Sequence, residues 1–74
     1  MTPKEKAFEN GLKSIAVSMY KNGILPFEKD QELLKEQFSK RKITGLGLDD
    51  LKKFQENKAK CFDYYLEYQA SFYQ

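Results

Sequence analysis

Asp63 and Glu67 stand four residues apart, a spacing that places two carboxylates on one helix face where they could touch a divalent cation. Two carboxylates without further convergent ligands ordinarily meet only water and lysine, so no metal site is expected. Histidine is absent, which removes the usual general base and, with a single cysteine, the usual zinc donors. Ser14, Ser18, Ser39 and Ser71 sit in no triad-like context, and a hydroxyl nucleophile would have to rely on a lysine or a carboxylate as base. Gly45-Leu46-Gly47 has neither the remaining glycine spacing nor the preceding strand of a phosphate loop. The chain is therefore expected to be no enzyme and to hold no cofactor. Cys61 has Phe62 and Tyr65 near it and reads as a small buried hydrophobe rather than a reactive thiol.

What remains is chemistry of binding. Six of the twelve residues from Phe62 to Tyr73 are aromatic: Phe62, Tyr64, Tyr65, Tyr68, Phe72 and Tyr73. Tyrosine joins a large apolar body to a polar tip and is enriched in the energetic centres of interfaces. Phe62, Tyr65 and Leu66 read as core, whereas Tyr64, Tyr68, Phe72 and Tyr73 read as a protein-binding surface. Lysine is missing after Lys60, in keeping with its depletion at interface centres. Lys58 falls in the middle of an otherwise apolar seam, where it either snorkels to water or meets a carboxylate from another chain and fixes register.

A second group is basic. Residues 35–60 carry eight basic and four acidic side chains, residues 1–34 five of each, and residues 61–74 none and two. Lys40, Arg41, Lys42, Lys52 and Lys53 are the candidate contacts to nucleic acid, and a glycine-containing turn between helices loosely resembles a helix-turn-helix. Against this, the 43–47 connection is long for that turn, and Asp49 and Asp50 stand where a reading helix would meet phosphate. Arg41 is also the single arginine, the residue that forks onto phosphate and guanine. The lysines serve more simply as helix C-terminal charges and intrahelical partners.

Three helical segments must position these groups. Thr2-Pro3-Lys4-Glu5 has the form of a capping box with proline at the first helical position, and Phe8, Leu12, Ile15 and Met19 follow at helical spacing until Gly23 and Pro26. This predicts a helix over 3–22, with Ala7, Gly11, Ser14 and Ser18 as a row of small residues that would admit a close neighbour. A second helix is predicted over 27–42, acidic at its start and basic at its end, burying Phe27, Leu34 and Phe38 with Leu33 off that stripe. Ile43 and the leucines after it would seal the core. A third helix is predicted over 48–73, since Leu51, Phe54, Lys58, Cys61, Tyr65, Tyr68 and Phe72 alternate three and four apart. Asp49 and Asp50 would cap its start. At about 1.5 Å per residue the three would be roughly 30, 24 and 40 Å long, so the third should overhang the others at its aromatic end.

The predicted fold class is all-α: a small three-helix bundle with a long C-terminal helix, one domain over residues 1–74. Hydrophobic residues at 41% and charged residues at 32% place the chain in the globular range. No apolar run reaches the length of a membrane span, the N-terminus lacks a signal-peptide core, and a lone cysteine suits a reducing compartment; the expected location is cytoplasmic. Lysine accounts for twelve of the thirteen basic residues, a hint of an AT-rich bacterial, plasmid or phage genome. The function these features favour is a small non-enzymatic regulator or inhibitor that binds another protein, or a second copy of itself, through its aromatic end. The alternative is a nucleic-acid-associated regulator using residues 35–60.

Overall fold

The computed structural model describes residues 2–73, and the fold is all-α. Five helices lie among the described residues: α1 (Pro3–Lys21), α2 (Gln31–Ser39), α3 (Arg41–Thr44), α4 (Leu48–Glu56) and α5 (Lys58–Ala70). The first predicted segment is α1, the second is α2 with α3, and the third is α4 with α5.

Thr2 Oγ1 accepts from the Glu5 amide at 3.2 Å and Pro3 takes the first helical position, so α1 begins where its sequence signals it. At its other end Gly23 adopts φ 70°. The Ile24 amide reaches the Met19 carbonyl at 2.8 Å, and the Gly23 amide reaches Tyr20 at 3.2 Å. This pairing satisfies two orphan carbonyls and brings fully buried Ile24 onto fully buried Met19.

The second segment starts later than its charge pattern suggests. Asp30 Oδ1 accepts from the amides of Glu32 and Leu33, which fixes the N-cap at residue 30 and leaves Phe27 outside the helix. Phe27 is accordingly 55% exposed, not core, with its ring edge-on to Phe62 at 5.8 Å. Leu34 and Phe38 are buried and Leu33 lies off the stripe, as the spacing indicates. Lys40 interrupts the helix, and the linker then winds into the short α3, closed by Gly45 at φ 76°. Leu46 seals the core, whereas Ile43 on α3 is 78% exposed and seals nothing.

Asn57 divides the third segment. Its φ of −134° leaves the helical region, its Nδ2 donates to the Lys53 carbonyl at 3.0 Å, and its own carbonyl accepts from Cys61 at 3.1 Å. One side chain thus caps the end of α4 while the backbone opens α5. Asparagine does this readily because its short amide competes for nearby backbone groups. At the start of α4, Asp50 Oδ2 accepts from the Gly47 amide at 2.8 Å, half of a capping box.

Contacts between elements set the topology. Lys60 reaches Glu9 at 3.7 Å, Lys13 lies over Tyr64, and Tyr20 meets Tyr68 and Phe72, so pairs rise together along both helices and α1 and α5 run parallel. Gln31 bonds Gln55 at 2.9 Å at one end of α2, while Ser39 and Leu48 share a groove at the other, so α2 and α4 run antiparallel. Asn22 Nδ2 ties the end of α1 to the Thr44 carbonyl at 3.0 Å. Leu12, Ile15, Ala16, Met19, Leu34, Phe38, Leu51, Phe54, Cys61 and Tyr65 fill the space between, with Phe38 and Phe54 nearly parallel at 6.1 Å. The small row on α1 admits a side chain rather than a backbone. A Cβ at Gly11 would lie 2.5 Å from Lys53 Nζ, which sits 4.9 Å from the Phe8 ring centre.

Candidate functional site

Parallel α1 and α5 bring their C-terminal ends together, and Tyr20 from the last turn of α1 becomes the centre of an aromatic cluster. Its ring stands edge-on to Tyr65 at 5.5 Å and to Tyr68 at 5.4 Å, and lies parallel to Phe72 at 5.5 Å. Tyr68 and Phe72 meet edge-on at 5.0 Å. The edge-on pairs align the positive edge of one ring with the negative face of another, and pairs of either kind are worth about 0.5–1.5 kcal/mol beyond burial. Tyr65 is buried beneath the cluster; burial, and secondarily Tyr20, raises its phenol pKa.

The overhang is therefore absent. α5 ends at Ala70, spans about 20 Å against about 28 Å for α1, and lies alongside it. The division at Asn57 is the physical reason, because it separates the predicted long helix into two shorter ones. Tyr68 is half-buried against Tyr20, Phe72 and Tyr73 remain 59% and 78% exposed, and Leu66 is exposed rather than core. Tyr64 is half-buried, packs against the core, and carries Lys13 Nζ 5.3 Å above its ring. Beside it a groove of about 280 Å³ runs between α1 and α5, lined by Lys13, Val17, Tyr64, Glu67, Tyr68 and Ser71. Sequence reasoning passes over Tyr20 and Val17. The signal was present in Tyr20 lying next to Met19 on the edge of the α1 stripe, but only a parallel partner gives that edge a role.

Lys58 lies apart from this cluster. As the first residue of α5 it is exposed and lines a different groove with Phe27, Ala59 and Phe62, since the turn at Asn57 takes it out of the seam. The five basic candidates also divide. Lys40, Arg41 and Lys42 come together at α3, with Lys40 3.8 Å from Glu36 and the Arg41 side chain lying against Gly47. Lys53 turns towards Phe8 on α1, and Lys52 is exposed on α4.

Cys61 is fully buried, and burial pushes its thiol up to about 11 despite the opposing influence of Lys53. A thiol held protonated in an apolar setting packs and does not react. Among the described residues, no group of three or more cysteine and carboxylate side chains converges on a point where a metal could sit. No helix among them is long and apolar enough to cross a membrane. Comparison with protein-family models, with curated proteins and with solved structures finds no match to this chain.

Proposed function

We propose that this chain is a small non-enzymatic protein-binding module, a regulator or inhibitor, that works through the aromatic end shared by α1 and α5. The observation that carries the reading is the pairing of two features there: a groove floored by Val17, Tyr64 and Tyr68, and exposed rings of Phe72 and Tyr73 beside it. The Tyr20 cluster holds Tyr68 and Phe72 in place before any partner arrives, so little side-chain freedom is lost on binding. Lys13 and Glu67 give the groove one cation and one anion at its edge, which orient a segment whose anchor is apolar. A partner helix or loop inserting an aliphatic or aromatic side chain between Tyr64 and Tyr68 fits this shape.

Selection of peptides from a random displayed library tests the reading. Enriched peptides are expected to share an apolar anchor, to perturb the amide signals of residues around Val17 and Tyr68, and to lose binding to the chain carrying Val17→Glu with Phe72→Ser. Enriched peptides that perturb another face, or that bind that variant equally well, would remove the aromatic end as the working surface.

A further inference from the structure

The corner formed by α2, α3 and the start of α4 carries two unlike surfaces side by side. One is a knob: Ile43, 78% exposed, directly after Lys40, Arg41 and Lys42 on a helix too short to turn it inward. The other is a groove of about 480 Å³ with Leu33 and Leu48, themselves 39% and 50% exposed, between the carboxylates of Asp30, Glu32 and Glu36 and one lysine, Lys35. Ser39 borders both surfaces. Ile43 meets the two leucines of the groove, and, with Glu36 already held by Lys40 of its own chain at 3.8 Å, Arg41 and Lys42 meet a groove in which Asp30 and Glu32 outnumber Lys35.

We propose that a second copy of this chain covers this corner: Ile43 of one protomer enters the Leu33–Leu48 groove of its partner, and the exchange is made twice about a two-fold axis beside Ser39. Two complementary patches that adjoin on one molecule satisfy an isologous dimer, because a half-turn about their boundary places each on the other. Lys42 makes no ion pair among the described residues and is free to meet the partner's carboxylates. Nucleic acid fits this corner less well, since an isoleucine stands among the cations and carboxylates flank them. This surface is separate from the aromatic end, so either can fail without the other.

Sedimentation equilibrium of the full chain tests the proposal. The unaltered chain is expected to pass from monomer to dimer mass with concentration in low salt, and to dissociate more readily in about 1 M salt, where the screening length shrinks to about 3 Å. Ile43→Gln changes an exposed position and is expected to keep the helical circular-dichroism signal while weakening the dimer at least roughly tenfold. Lys42→Glu and Glu32→Lys should each weaken self-association, and mixing those two chains should restore dimers containing one of each. A chain that stays monomeric throughout, dimers that survive Ile43→Gln, or a mixture that recovers nothing would overturn the proposal. So would a monomer that binds a mixed-sequence DNA duplex and loses that binding in Lys42→Glu.

Discussion

Gly11 and Cys61 show how a single position can be decided by its neighbour. A methyl group at Gly11 would press on Lys53 Nζ, the far end of a flexible side chain, and not on backbone. Lys53 can swing into water at the loss of its contact with the exposed Phe8 ring, worth about 0.5–1 kcal/mol, while a helical glycine costs about 1 kcal/mol relative to alanine. Gly11→Ala is therefore expected to raise stability by up to about 0.5 kcal/mol, read from the urea midpoint; a drop of more than about 1 kcal/mol would mean that Lys53 is held where it is. For Cys61 the relevant variable is pH. Its thiol ionises near 9.0 in an open chain and near 11 in the fold, so below 9.0 both states keep the proton and the folded state is fully favoured. Between 9.0 and about 11 only the unfolded chain releases it, and stability falls. The Tyr65 phenol, raised by burial above its open-chain value of 10.0, adds to the loss as pH climbs past that value. A series of denaturation midpoints should be flat near neutrality and decline through this window, and Cys61→Ala should flatten the first part of the decline.

At the scale of elements, the turn at Asn57 governs the shape of the C-terminal half. Asn57→Ala removes the cap on the Lys53 carbonyl and is expected to cost about 1 kcal/mol, measured by thermal or chemical unfolding. A continuous helix through this position would respond the opposite way, because alanine is the better helix former. The sign of the change thus separates two helices from one. This is also where the sequence became hard to read. The three-four alternation from Leu51 to Phe72 identifies the inward face, with Leu51, Phe54, Cys61 and Tyr65 all buried. Periodicity is blind to a local backbone break that preserves phase, and a lone asparagine among polar residues is a weak signal for one. Capping residues were clearer: Thr2, Gly23 and Asp50 act where their types indicate, while Asp30 displaced the start of α2 because three acids in five residues left its identity as the cap ambiguous. Within the candidate site, the aromatic residues were legible from composition. Their contact with Tyr20 was not, since it depends on which way α5 runs beside α1.

The molecule as a whole exposes 5353 Å², against about 4700 Å² for a folded monomer of 8.7 kDa. Its radius of gyration of 12.1 Å exceeds the roughly 11 Å of a compact chain of this length. The excess is in keeping with a body that keeps apolar residues such as Phe27, Ile43, Phe72 and Tyr73 at its surface. A core of a dozen residues supports a total stability of only about 4–11 kcal/mol, so both proposed surfaces operate on a narrow margin. The parallel pairing of α1 with α5 has one further outcome, and it concerns time. Glu9 with Lys60 and Tyr20 with Phe72 join residues about fifty positions apart, whereas most helical bundles of this size close through neighbours in the chain. High contact order in an all-α protein slows the search for the native state towards the rates of mixed α/β domains. During synthesis the N-terminal helix emerges first and must wait with its Leu12, Ile15 and Met19 face uncovered until Cys61 and Tyr65 have left the ribosome. Folding is thus postponed until α5 has emerged, and a chain arrested before α5 presents a greasy helix to chaperones and proteases in place of a domain.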